Sequence, residues 1–382
     1  MDTKAAVLWK THSPWEIEEI TLDDPGPGEV TVELAASGLC HSDEHLVTGD
    51  MRMPDDMQEL LGFPQYPIIG GHEGAGTVVE VGPGVTSLAV GDNVALSFIP
   101  SCGRCPSCST GKQSLCDLGQ FLIVGRQIAG LTARHHLAKD GTDIGIMCCL
   151  GTFAPHTVVN EASCIKLEDD IPTDKAALVG CGVTTGWGTS VYRAQVQPGE
   201  TVVIVGIGGI GINAIQGAVM CGARHIVAVD PVQFKRDSAL QFGATHAVSD
   251  LEEAFALVGE ITWGAMAEKA IITTGVAEGS MIASVMALVS KGGRCVVTSV
   301  ADIAATEVTL SLFELTLMQK ELVGGIFGGA NARRDIPRLM RLYKEGKLKL
   351  DELVTTEYKL EDVNQGYQDM RDGKNLRGLI RY

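Results

Sequence analysis

Four cysteines crowd one short stretch, SCGRCPSCSTGKQSLC, at Cys102, Cys105, Cys108 and Cys116. Two overlapping C-x2-C pairs closed by a fourth cysteine have three chemical readings: disulfides, a thiol redox pair, or ligands for a metal. The chain carries 11 cysteines, an odd number. Its opening, MDTKAAVLWKTHSPWEIEE, lacks the apolar core and cleavage site of a secretory signal. A reducing, cytoplasmic location is therefore the expectation, and there clustered thiols bind metal more often than they pair.

Three other fragments each set one soft ligand among glycines, where the backbone can bend toward a common point. They are Gly38-Leu-Cys40-His-Ser-Asp43, Gly70-Gly-His72-Glu73-Gly74 and Gly180-Cys181-Gly182. Two thiolates and one imidazole would hold zinc with its fourth position open to water or an alcohol oxygen. A zinc-ligating histidine needs a partner on its other ring nitrogen, and Asp43 is the candidate. Singly these residues say little. A cysteine in apolar surroundings is most often only buried, which is the reading for Cys148, Cys149, Cys164, Cys221 and Cys295.

A third constellation would serve a hydride carrier. Gly206-Ile-Gly208-Gly209-Ile210-Gly211 follows the apolar run TVVIV and opens a helical pattern, and the next apolar run ends at Asp230. This is the dinucleotide fingerprint in its proper context. Gly206 permits the tight turn, Gly208 lets the backbone approach a pyrophosphate, and Gly211 lets helix pack on strand. The helix N-terminus offers free N–H groups to the phosphates. Asp230 can accept from both ribose hydroxyls and would repel a 2′-phosphate, which favours NAD. Lys235 and Arg236 stand close enough in sequence to work against that preference.

The elements that must position these residues fall into two textures. The first 165 residues show short alternating runs (AAVLWK, VTVELAA, GTVVEVG, DNVALSFI) broken by DDPGPGE, VGPG and VGD. Such runs predict a β-barrel or sandwich-like domain. From about Thr173 strand and helix alternate through TVVIVG, HIVAVD, HAVS, EKAIITTG and GRCVVTS, the mark of a parallel, doubly wound sheet. The tail has one helix, RRDIPRLMRLYKEGKL, and is too short to stand alone. At 382 residues two domains are expected. Thr201 to Ala223 is uncharged and long enough to span a bilayer, but its six glycines favour a buried strand running into a helix. A net charge of −17 disfavours nucleic acid as a partner.

GLCHSDEH, GHEGAGTVVEVGPGV, the C-x2-C-x2-C-x7-C run, LGTFAPHTVV, GCGVTTGWG and GIGGIG occur in the order found in one family. Over nearly its whole length the chain resembles the zinc-dependent medium-chain alcohol dehydrogenases. The resemblance implies an α/β protein: a GroES-like β-barrel catalytic domain over residues 1–182, to which residues 327–382 return, and a Rossmann domain over 183–326. It implies NAD and two zinc ions. Cys40, His72 and Cys181 match the catalytic ligands, a set for which the family is known, and Glu73 the acidic residue behind the metal. Cys102, Cys105, Cys108 and Cys116 match a structural site; four thiolates fill every tetrahedral position, leaving none for substrate. Ser42 and His45 match a proton relay, Thr185 a residue against the nicotinamide, and Arg377 an arginine on the pyrophosphate. Phe98, Cys149, Leu150, Val300 and Ile326 fall where the family lines its substrate pocket, Val300 also beside the cofactor.

Two departures stand out. His41 replaces an arginine that many members set on the pyrophosphate, a weaker and pH-dependent anchor. Thr48 to Pro67 is longer than usual and is expected to form either a loop near the substrate mouth or a surface insertion with no role. SFIPSCGRC, CSTGKQSLCDLG, CCLGTF and VDPVQFKR resemble, more narrowly, the bacterial nicotinoprotein alcohol dehydrogenases. Those enzymes use N,N-dimethyl-4-nitrosoaniline as artificial acceptor, retain NAD(H) through turnover, and imply a mycofactocin-type electron acceptor. The resemblance further implies an alcohol or aldehyde substrate, no membrane partner, and a homodimer or homotetramer, with Gly293 to Leu317 offering an edge strand for pairing. The rivals are an ordinary NAD-dependent or thiol-dependent formaldehyde dehydrogenase with dissociable NAD, and an NAD-sensing zinc module without catalysis. Dependence on added thiols would mark the former, and intact zinc without dehydrogenase activity the latter.

Overall fold

The strand Glu29–Leu39, rich in β-branched and small residues, organises the first half of the molecule. The structure, a computed structural model, describes residues 1–302 and 305–382. By their internal contacts these form two units, Met1–Cys181 with Asn331–Tyr382, and Gly182–Ala330.

In the first unit Glu29–Leu39 pairs antiparallel with Gly74–Val81, His156–Asn160 and the C-terminal strand Arg377–Arg381. Asn93–Leu96 and Cys164–Lys166 extend this sheet on one side, and Val354–Tyr358 on the other. Asp2–Leu8, Trp15–Leu22, His135–Leu137, Asp143–Ile146 and Ile68–Ile69 close into a barrel. Closure leaves no exposed edge in those strands. The tail, unplaced by hydrophobic pattern alone, therefore completes the sheet that carries Cys40. Its helix Val363–Arg371 buries Tyr367 among Trp15 and Phe153, whose rings meet edge-on at 5.6 Å.

In the second unit six strands run parallel. Their spatial order is His246–Val248, His225–Val229, Thr201–Val205, Ala267–Ile272, Val289–Val297, Glu321–Gly324. In chain order that is 3-2-1-4-5-6, the Rossmann arrangement, with its reversal beside Thr201–Val205. Thr201–Val205 and the helix Gly209–Met220 account for the uncharged stretch, and among the described residues no helix is long and apolar enough to cross a membrane.

Three local expectations differ from the structure. Gly182 and residues 327–330 belong to the second unit, not to the first and its returning tail. Gly328, at φ +61°, packs so closely on the helix Gly182–Gly188 that a Cβ would lie 2.5 Å from the Thr185 carbonyl oxygen. The stretch Thr48 to Pro67 is more than a loop, since it contains the helix Asp55–Leu61. Gln65, 1% exposed, fastens it by accepting from Met53 N–H at 2.8 Å and donating to the Met51 carbonyl at 3.1 Å. Within Gly293 to Leu317 the strand portion lies inside the sheet, Leu312–Leu317 is helical, and Ile303 and Ala304 lie outside the described residues; Glu321–Gly324 forms the edge.

Candidate active site

Strand register brings the scattered ligands together. Glu29–Leu39 ends at Cys40, the residue that opens the helix His41–Thr48. Ser37 lies opposite Gly74, and Gly74 opposite Leu96. Cys40 and His72-Glu73 therefore sit at one end of adjacent antiparallel strands. Gly71 turns the chain into this position at φ +84°, where a Cβ would lie 2.7 Å from Phe153 N. The turn Ala177–Gly180 brings Gly180 against the Leu96 carbonyl, which only a glycine allows, and Cys181 follows. One ligand atom from each of Cys40, His72, Glu73 and Cys181 lies within 4.8 Å of the others, and all four residues are buried.

The chemistry of this group fits a thiophilic metal. His72 Nδ1 lies 3.1 Å from the Asp43 carboxylate, which also accepts from Gly71 N–H at 2.8 Å. That leaves Nε2, buried and without a hydrogen-bond partner among the described residues. An unpartnered buried nitrogen costs about 1–3 kcal/mol, and a zinc bond would satisfy it. The hydrogen bond with the Cys181 thiol holds Cys40 well below the usual thiol range, helped by His72 and Arg377, and the same bond together with burial pushes Cys181 up. Burial opposes charge on His72, yet Asp43 and Cys40 raise it well above the ordinary imidazole value.

Around this group the structure places the other residues as follows. Glu73, fully buried, is ion-paired to Arg377, whose guanidinium also donates to the Leu39 carbonyl at 3.2 Å. Gly38 leaves room for that pair, since a Cβ there would collide with the Glu73 carboxylate. Ser42 Oγ lies 3.8 Å from Cys40 Sγ. The His45 ring is buried, 5.0 Å from the exposed His41 ring. Phe98 meets the His72 ring edge-on at 5.9 Å. Cys149 is buried with its thiol donating to the Phe121 carbonyl at 3.3 Å, and Leu150 packs in the core with Val30, Val32 and Val159. Sequence reading missed three neighbours. Tyr367 donates to the Cys40 carbonyl at 3.3 Å, Thr152 Oγ1 to the Glu73 carbonyl at 3.4 Å, and Asp50 meets His45 at 2.9 Å. Tyr367 and Thr152 carry no local signal. Asp50, just past the helix-ending Gly49, could have been found from the turn.

The dense cysteine cluster forms a separate closed group. Cys102 and Cys108 sulfurs lie 4.0 Å apart, as do those of Cys105 and Cys116. Four thiolates at about 2.3 Å from one zinc would stand roughly 3.8 Å apart. Backbone N–H groups already point at the sulfurs: Cys105 N to Cys102 at 3.3 Å, Cys108 N to Cys105 at 3.4 Å, Cys102 N to Cys116 at 3.5 Å. For Cys102 burial is outweighed by such donors and the thiol falls to about 7, whereas burial drives Cys116 up to about 12. Arg333, on the tail helix Ala332–Lys344, donates to the Ser101 carbonyl at 2.8 Å and ties down the lobe's entry.

In the second unit Gly206 turns at φ +92°, where a Cβ would lie 2.7 Å from Thr274 N. Gly209 and Ile210 begin the helix, and Gly211 packs on the Gly206 carbonyl. A Cβ on Gly208 would meet nothing within 4 Å, so the space a pyrophosphate needs is open. Asp230 is fixed at the strand end: Oδ2 accepts from Ile207 N–H at 2.8 Å and Oδ1 from Val232 N–H at 2.9 Å. Arg236 is turned back onto the Asp230 and Pro231 carbonyls at 2.7 and 2.8 Å, while Lys235 is half-buried. Thr185 is buried with its hydroxyl unpartnered among the described residues. The Val300 carbonyl accepts from Ala277 N–H at 2.9 Å, and Ile326 is 45% exposed. Asp230→Ala is expected to weaken NAD binding about 10–100-fold, the worth of charged hydrogen bonds, and to narrow its margin over NADP. Nucleotide titration of cofactor-stripped protein checks this; unchanged affinity for both would remove Asp230 from the site.

A glycine turn on a Rossmann sheet and a buried Cys–His–Cys group define the class, a metal-dependent dehydrogenase. Residues 26–169 match the alcohol dehydrogenase GroES-like domain and 209–345 the zinc-binding dehydrogenase domain. The chain is 50% identical to alcohol dehydrogenase B of Mycobacterium tuberculosis, over all of this chain and 99% of that one. It is 49% identical to an NDMA-dependent alcohol dehydrogenase of Amycolatopsis methanolica, with the same coverage. The crystal structure of an alcohol dehydrogenase zinc-binding domain protein from Burkholderia ambifaria matches with a TM-score of 0.90 at 29% identity, covering 100% and 99% of the two chains. The chain belongs to the zinc-binding medium-chain alcohol dehydrogenase family and is an oxidoreductase acting on CH–OH groups.

Proposed function

We propose that this enzyme is a nicotinoprotein: it transfers hydride reversibly between an alcohol and an NAD(H) that it retains through turnover, and an external acceptor reoxidises the cofactor. The whole-chain identity to an NDMA-dependent enzyme carries this reading. The reading includes two zinc ions per chain, a mycofactocin-type acceptor, a cytoplasmic location and a homodimer or homotetramer. Cys40, His72 and Cys181 would hold the catalytic zinc, and Cys102, Cys105, Cys108 and Cys116 the structural one. Zinc supplies Lewis acidity, lowering the cost of removing the alcohol's proton. NAD would supply the hydride acceptor.

The chain's own residues do the rest. Two thiolates balance the metal's charge, and Asp43 holds His72 with Nε2 facing inward. Ser42 receives the alcohol's proton and passes it toward His45. Phe98, edge-on to His72, fences the reacting carbon from water. Glu73, ion-paired to Arg377 with its carboxylate within 4.8 Å of the other ligand atoms, would stand as a reserve donor behind the metal. The Gly206 to Gly211 turn and Asp230 grip the cofactor.

The absorbance spectrum of desalted protein tests retention. Nicotinamide that survives desalting, near one per chain, and leaves only on denaturation is the expected result. A cofactor-free spectrum with full activity on added NAD would overturn it and leave an ordinary dehydrogenase.

A further inference from the structure

Asp50 lies at the head of the long insertion, outside every motif that links this chain to its family. Its carboxylate Oδ2 stands 2.9 Å from Nδ1 of His45, a ring only 2% exposed, while Asp50 itself is 24% exposed. The contact is built from both sides. Thr48 Oγ1 donates to the same Oδ2 at 2.6 Å, fixing the carboxylate from the last turn of the helix that carries Ser42 and His45. Gly49, at φ +91°, reverses the chain, and the N–H groups of Gly49 and Met51 both donate to the His45 carbonyl, at 3.1 and 3.2 Å. Met51 and Met53 are in turn fastened by the buried Gln65. The backbone on each side of Asp50 is thus hung on the histidine that its side chain meets.

We propose that Asp50 is a positioning residue for proton transfer: by accepting from Nδ1–H it holds His45 in the tautomer whose Nε2 takes the alcohol's proton. The proposal rests on Ser42 and His45 being the relay. A ring with its proton fixed on Nδ1 has its lone pair on Nε2, and an anion behind it stabilises the imidazolium formed on uptake. One proton enters at Nε2, and one proton then leaves the imidazolium for water, which restores the neutral ring; no electrons move in this step. The Thr48 hydroxyl and His45 hold Asp50 below the usual carboxylate range, so the anion persists at neutral pH. Among the described residues the His45 ring also meets the ring of His41, a titratable group on the same helix. Among nearby charges, Arg52 is engaged by Asp55 and Glu44 by Arg371.

The test measures the single-turnover rate of nicotinamide reduction by saturating alcohol, as a function of pH, in holoenzyme with confirmed zinc and NAD content. For Asp50→Asn the plateau rate is expected to fall about tenfold, within the range that general acid–base groups contribute. The acid limb is expected to move to lower pH, because the imidazolium has lost its anion. Thr48→Val, which loosens Asp50 without removing it, should move both in the same direction by less. In a His45→Gln background Asp50→Asn should add nothing. Wild-type rate and pH profile in Asp50→Asn, beside a slow His45→Gln, would overturn the role of Asp50 and leave the relay standing. Wild-type rate in His45→Gln would overturn the relay and this proposal with it. A slower Asp50→Asn whose acid limb has not moved would make the contact merely structural, which also overturns the proposal.

Discussion

Cys40→Ser is expected to lose one zinc per chain and at least about 10³-fold in turnover, since a Lewis acid contributes several kcal/mol to the barrier. A serine hydroxyl keeps its proton where the thiol does not: the bond from Cys181 and the nearby His72 already favour the Cys40 thiolate. With that thiolate gone, His72 Nε2, Cys181 and a Glu73 carboxylate already engaged by Arg377 remain, a set short of the two thiolates and imidazole that hold the metal. The Gly206 to Gly211 turn belongs to the other unit, so the nicotinamide that stays with the desalted variant and is released on denaturation should equal that of the parent. Metal analysis and turnover on the same sample check the result. Activity within tenfold of the unaltered enzyme after loss of the zinc would remove Cys40 from the catalytic site.

Cys108→Ser is expected to do the opposite: it spares the reacting group and loses a piece of the fold. Between Ser101 and Asp117 the only buried residues are Ser101, Cys108, Ser114 and Cys116, and Leu115 is 55% exposed. Such a lobe has almost no apolar surface to bury, so hydrophobic burial cannot close it. The metal must. Structural zinc supplies about 10–16 kcal/mol of apparent folding energy in isolated peptides, far beyond what the lobe's hydrogen bonds add. The variant should lose one zinc, expose the Ser101 to Asp117 segment to protease, and melt several degrees lower. A protease pattern and zinc content equal to those of the parent would show that the four cysteines hold no metal. Comparing Cys40→Ser with Cys108→Ser separates the two ions, because each loses one zinc and only the first loses its chemistry at once.

Much of this protein can be read without coordinates. Turns and strand texture announce the barrel, and the alternation after Thr173 announces the parallel sheet. Those signals are local, because a glycine turn or a run such as TVVIV needs only its neighbours in sequence. The cysteine cluster is local for the same reason: its four sulfurs are brought together by a few turns. The helix within Thr48 to Pro67 was harder to see. Its sequence, DDMQELL, has no buried residue, and what fixes it is Gln65, a polar side chain with no pattern of its own.

What the tertiary structure alone decided is which distant residues meet. Sheet register sets Ser37 beside Gly74 and Gly74 beside Leu96, and this carries Cys40, His72 and Cys181 to one point. The pairing of Arg377–Arg381 with Glu29–Leu39 delivers Arg377 to Glu73, across 304 residues of chain. The sequence by itself determined the kinds of chemistry, because thiols, imidazoles and glycine turns are properties of residue type and short spacing. It could not determine their partners. Strand pairing is settled by burial and hydrogen bonding over the whole sheet, and no short stretch of sequence contains that information.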